Sequence, residues 1–237
     1  MLEILYQDDH YIAINKPSGL LVHRSPIDRH ETRFAIQMLR DQIGQYVYPL
    51  HRLDKPTSGV LFFALDKQSA HLVSEQFKAH TLQKTYLGIV RGYTDPQGRI
   101  EHALKEKLDK IADKDAQKDK EAQEAITEYK TLAKIELDFA VGRYDKVRYS
   151  LVEMKPKTGR KHQLRRHMKH ISHHLLGDTK YGRGEHNKLI RKEFDCHRML
   201  LHASKLKLYH PYLKKEITIR ANLDSVFQKF VDIFKCH

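Results

Sequence analysis

Near the start of the chain, short apolar runs flank polar turns. Ile4-Leu5-Tyr6 and Tyr11-Ile12-Ala13-Ile14 enclose Gln7-Asp8-Asp9-His10, a pattern that predicts a β-hairpin ending at Asn15-Lys16-Pro17-Ser18-Gly19. Helical spacing follows over 32–43, with Ala35, Met38, Leu39 and Ile43 on one stripe and Gly44 as the stop. The same period recurs over 67–80 through Ala70, Val73 and Phe77. Strands are expected at 60–65, 85–90, 148–154, 205–209 and 216–219. Asp224 is placed to cap a last helix that buries Phe227, Phe230, Val231 and Phe234.

One segment breaks this rhythm. Residues 105–124 hold six lysines and seven acids with almost no large apolar side chain, which predicts a solvated charged insertion in one continuous domain spanning 1–237. Its charges cancel, so the net charge of +13 resides elsewhere and favours a polyanionic partner, nucleic acid before membrane. The longest apolar run, around Phe62, is too short to span a bilayer, and no signal-peptide pattern opens the chain. Cys196 and Cys236 are isolated from each other, so no disulfide scaffold or zinc knuckle is implied, and a reducing cytoplasm is the expected compartment.

The densest chemistry lies in His51-Arg52-Leu53-Asp54-Lys55-Pro56-Thr57-Ser58-Gly59, a rigid turn that runs straight into an apolar strand. Proline fixes φ and glycine permits backbone that other residues resist, and such loops commonly hold reactive side chains. A turn aspartate bonded to nearby amides is the plainer reading of Asp54. A second cluster, 156–170, carries six Lys/Arg and no acid. Its histidines 162, 167 and 170, with 173 and 174 beyond, invite a metal site, but Arg160, Arg165 and Arg166 would repel a dication, so no metal is expected. A helix presenting guanidinium groups to phosphate fits better. Leu164 and Met168 would face the core, and Arg165, at the edge of that face, would need a carboxylate for which Asp54 is a candidate.

With these residues in place the chain resembles the pseudouridine synthases of the ribosomal large-subunit synthase A type. The resemblance rests on 51–59 and on four further stretches in the same order. These are Asn15 to Gly19, Lys84 to Gly92, Lys157 to Arg165, and the pair Gly177 to Gly182 with Leu201-His202-Ala203. It implies an α+β fold with a mixed, largely antiparallel central sheet, flanking helices and an RNA-binding cleft. It implies Asp54 as the essential carboxylate, Arg165 as its partner and Tyr86 beside the uracil. Arg52 would fill the space of the flipped base, with Lys16, Arg160 and His162 as further RNA contacts. His174 departs from the proline usual in the family, which bears on loop shape.

The reaction so implied breaks C1′–N1 of uridine and joins C1′ to C5, with Asp54 attacking C1′ or assisting a glycal, and it needs no cofactor. Residues 1–8, 108–114 and 156–167 resemble a family member that acts on tRNA at uridine 65, in the acceptor stem next to the T arm. tRNA is therefore the expected partner, with ribosomal RNA the rival. The expected state is a monomer with no obligatory protein partner and no small N-terminal RNA-binding domain. A non-catalytic RNA-binding module, with Asp54 and Arg165 as a structural pair, and a metal-dependent nuclease are the competing classes.

Overall fold

A computed structural model describes residues 1–24, 30–106 and 121–235. The predicted hairpin is β1 (Glu3–Gln7) and β2 (Tyr11–Lys16), paired antiparallel. Its turn is held by Asp8, whose Oδ1 accepts from the amides of His10 and Tyr11 at 2.8 and 2.7 Å. Helix α1 (Ala35–Ile43) starts three residues later than the spacing suggested, because Phe34 is extended and buried, and it stops at left-handed Gly44. The short β3 (Tyr48–Pro49) then pairs with β4 (Ser58–Ala64), and α2 (Lys67–Lys78) follows with the Asp66 side chain capping the amide of Ser69.

The rest of the chain supplies β5 (Gln83–Arg91), β6 (Gln97–Glu101), β7 (Ile126–Leu137), β8 (Val147–Pro156), α3 (Gln163–His170), α4 (Gly184–Phe194), β9 (Leu201–His210), β10 (Lys215–Arg220) and α5 (Ser225–Ile233). Asp224 caps α5 through the amide of Phe227, as its position implied. The strands join one ten-stranded sheet ordered β1-β2-β4-β9-β5-β8-β7-β6, with β10 beside β9 and β3 beside β4. Among the described strand pairs only β4 with β9 is parallel, and this mixed, largely antiparallel sheet with its helices is the expected α+β class.

Alternation along β2 and β4 explains the layers. Ile12, Ile14, Leu61 and Phe63 face α1 through Ala35 and Leu39, while Tyr11, Ala13, Val60, Phe62 and Ala64 face α2 through Val73. Both faces are covered, so these strands read as apolar runs rather than alternating ones. In the other half, Val90, Val152 and Met154 pack under Leu164 and Met168 of α3, and Ile89, Tyr149 and Leu151 pack on α4 and α5. Tyr86 touches both the α1-side and α3-side clusters, so it stands on the floor between them.

The two halves meet at Gly59, paired with Ala203 across the parallel step. Its φ is +111°, and a Cβ there would stand 2.2 Å from the Ala203 carbonyl oxygen, so only glycine fits. The charged insertion expected at 105–124 lies mostly outside the described residues; its flanks close on each other through Leu104 and Gln123. Among the described residues no helix is long and apolar enough to cross a membrane.

Candidate active site

Asp54 sits on the loop between β3 and β4, and two turns brace one another there. Its carbonyl accepts from the Thr57 amide at 3.0 Å, Gly19 donates to the Lys55 carbonyl at 2.8 Å, and Ser18 Oγ donates to the Pro56 carbonyl at 2.7 Å. His51 fixes the entry to the loop: its Nε2 accepts from the Phe62 amide at 3.1 Å and its ring stacks on Phe77. Burial pushes His51 down to about 3, so it stands there as a neutral acceptor.

Lys16 corrects the sequence reading. It is fully buried, so it offers nothing to an RNA surface. Its Nζ donates to the carbonyls of Pro17, Leu20 and Lys55 at 2.9, 2.8 and 3.2 Å, clamping the first turn to the Asp54 loop. Burial, followed by the positive charge of Arg198, brings Lys16 down to about 7, with Asp54 opposing.

Arg165 lies on the inner edge of α3, one residue from core-facing Leu164, as the helical period implied. Its Nη1 donates to Asp54 Oδ2 at 3.1 Å. Its Nε and Nη2 form a two-bond pair with Asp178 at 2.8 Å each, a contact the sequence reading missed. Asp178 also accepts from the amides of Lys180 and Tyr181, and Asn187 holds this turn by bonding the Gly177 amide and the Asp178 carbonyl. Left-handed Gly177 lets that backbone pass where a Cβ would meet the Arg198 carbonyl at 2.0 Å. Burial works to raise the Asp178 carboxyl, but Arg165 and the two amides carry it below the ordinary carboxylate value. Arg165 moves the other way: burial opposes its charge, and Asp178 with Asp54 outweighs burial.

Exposure sorts the three groups. The side chains of Arg165 and Asp178 are 6% and 1% exposed, whereas that of Asp54 is 26% exposed. Asp178 already balances the buried guanidinium, so Asp54 is its open end, with Oδ1 turned toward the cleft and His162 Nε2 at 3.8 Å. Among the described residues no neighbouring amide donates to the Asp54 side chain, unlike an ordinary turn aspartate.

The cleft around it holds about 630 Å³, in the range of small-molecule sites. Tyr86 lines its floor, and burial, then the charge of Asp54, raises its hydroxyl well above the ordinary value, keeping it neutral. His162 takes a left-handed backbone just before α3, and its Nδ1 lies 3.0 Å from the Tyr181 hydroxyl. Burial takes His162 down to about 4, with Asp54 pulling partly back. Arg160 lines the rim with its Nε bonded to the Glu124 carbonyl at 3.0 Å, and exposed Arg52 stands beside Asp54. Thus Asp54, Tyr86, Arg165, Arg52, Arg160 and His162 converge, and Lys16 lies beneath them.

The remaining histidines disperse. His167 bonds Thr127 Oγ1 and the His102 carbonyl, His170 stacks on His102, and His173 bonds the Arg91 carbonyl. His174, the departure from the family pattern, is buried where its carbonyl accepts from the Arg91 amide. Among the described residues no group of three His, Cys, Asp or Glu is arranged to hold a metal ion.

A buried arginine thus presents one half-open carboxylate to a basic cleft on this sheet. Residues 10–170 match the family described as RNA pseudouridylate synthase, and the chain belongs to that family. It is 56% identical to tRNA pseudouridine synthase C of Vibrio parahaemolyticus, over 99% of this chain and 95% of that protein. It is 55% identical to tRNA pseudouridine synthase C of Pasteurella multocida, over 98% and 96%. Among solved structures, human RNA pseudouridylate synthase domain containing 4 superposes with a TM-score of 0.72 at 27% identity, over 98% of this chain and 93% of that one.

Proposed function

We propose that this chain isomerises a uridine of tRNA to pseudouridine, at position 65 beside the T arm, with Asp54 as the essential carboxylate. The observation that carries the catalytic reading is the asymmetry around Arg165. A structural ion pair needs only Asp178, so the singly bonded, cleft-facing Asp54 is left available to a substrate. The names of the relatives support tRNA as the substrate, and the net charge of +13 suits it.

The residues support the chemistry in sequence. The target base must leave its helix, which costs a few kcal/mol, and exposed Arg52 at the cleft enters the vacated space. Tyr86 packs beside the uracil with a neutral hydroxyl. Asp54 acts at the ribose as C1′–N1 breaks; the freed uracil turns, C5 joins C1′, and the C5 proton passes to solvent while N1 takes one up. Arg165 holds the carboxylate in position and balances its charge. His162, neutral near pH 7, borders Asp54 and Tyr181 at the rim.

Unmodified tRNA transcripts and ribosomal RNA fragments, incubated separately with the protein, test the substrate. Carbodiimide labelling and reverse transcription then locate the product. A stop at uridine 65 of tRNA is expected. Modification of ribosomal RNA alone would overturn the tRNA reading, and no modification of either RNA would overturn the activity.

A further inference from the structure

Lys84 lines the same cleft and takes no part in the chemistry above. It precedes Tyr86 by two positions on β5, so both side chains leave the same face of the strand. The side chain is half-buried, and burial lowers its amine below the ordinary lysine value. Among the described residues no carboxylate, carbonyl or hydroxyl accepts from it. Its neighbours differ: Arg165 has two carboxylates, Lys16 three carbonyls, Arg160 the Glu124 carbonyl and Lys78 the Glu75 carboxylate. A partly desolvated cation without an acceptor is costly, and a ligand can supply what the chain does not.

Position indicates which ligand. Lys84 lines the cleft together with Asp54, Arg160 and Gly159. Its charge helps to lower His51, which lines the same cleft and stacks on Phe77 of α2. Its Nζ lies 3.7 Å from the place a Cβ on Gly159 would occupy, so the missing side chain leaves room beside the ammonium. Lys84 and Asp54 line one cavity, so a nucleotide whose ribose meets Asp54 carries its flanking phosphodiesters into the space that Lys84 also lines.

We propose that Lys84, beside the bare backbone of Gly159, forms a subsite for a phosphodiester adjoining the flipped nucleotide. The inference rests on the RNA reading of the cleft and adds a binding contact to it. A charge-assisted contact of this kind corresponds to roughly tenfold or more in kcat/KM when removed.

The test uses a synthetic RNA stem bearing the target uridine, with flanking phosphodiesters replaced one at a time by neutral methylphosphonates. Lys84→Met is expected to melt like the wild type and to lose roughly tenfold or more in kcat/KM. One methylphosphonate should lower the wild type by a similar factor and leave Lys84→Met unchanged. Lys84→Arg, which keeps the charge, should retain that sensitivity, and it serves if the methionine variant does not fold. Losses that multiply at every flanking position, or a Lys84→Met enzyme equal to wild type, would overturn the subsite. Failure of the wild type to isomerise the unmodified stem would instead refute the proposed function. RNA affinity across the same pairs would then read the subsite on its own.

Discussion

Nη1 of Arg165 lies 3.1 Å from Oδ2 of Asp54, joining positions 111 residues apart in the chain. The contact is a single hydrogen bond, because the other edge of the guanidinium is held by Asp178. The arginine is therefore fixed from behind and presents its remaining edge to the carboxylate. This preorganisation ties the orientation of Asp54 to a residue that never faces the cleft.

Asp178→Asn should consequently impair turnover although its side chain is buried away from substrate. The amide cannot replace both acceptors of the two-bond pair, and Arg165 would be drawn toward Asp54. Loss of one partner from a buried pair costs about 3–5 kcal/mol. Steady-state kinetics and urea unfolding should show kcat down about tenfold or more, from a displacement of this kind, with KM for RNA little changed and a lower unfolding midpoint. An unchanged kcat would separate Asp178 from the positioning of Asp54.

Acid should destabilise the fold through its histidines. Burial lowers His51 to about 3 and His162, His186 and His202 to about 4, from an ordinary value of 6.5. Between those values the unfolded chain binds protons that the folded chain refuses, so stability rises with pH there and falls as pH drops from 6.5 toward 4. Each such histidine contributes at most about 1.4 kcal/mol per pH unit. Urea unfolding between neutral pH and pH 4 should show proton uptake on unfolding, and a flat profile would contradict these burials.

Gly59→Ala should be among the most damaging small substitutions. The new methyl would meet the Ala203 backbone at 2.2 Å, and φ of +111° disfavours any side chain. Both effects act where β4 and β9 join the halves of the sheet, directly after the Asp54 loop. Thermal melting should show a large fall in Tm or loss of soluble protein; a Tm within a degree of wild type would mean that the strands move apart at little cost.

The sequence pattern predicted the hairpin, α1, α2, α5 and most long strands, because their apolar residues are spaced to fill a core from one or both faces. Strand β7 escaped it. That strand lies near the sheet edge, where Leu132 shares the exposed face with Lys130 and Lys134 and only Thr127 and Ile135 are buried. Helix α4 was missed for a similar reason, since it opens on Gly184 and buries only His186, Asn187 and Ile190. In the site, the pairing of Arg165 with Asp54 was legible from the need of a buried arginine for a carboxylate. Asp178 was not, although the same need allowed a second acid. Lys16 was expected to contact RNA, and only the fold shows three carbonyls converging on it.

The central claim is that Asp54 performs the isomerisation, and Asp54→Asn addresses it most directly. The change removes the carboxylate charge with little volume, while Asp178 still satisfies Arg165. Fold and most RNA affinity should therefore persist. The decisive measurement is tritium release from tRNA labelled at C5 of uridine, since C5 loses its hydrogen on joining C1′. Wild-type protein should release tritium and the variant none above background, in samples shown to melt and bind RNA alike. Substantial release by Asp54→Asn would contradict the account.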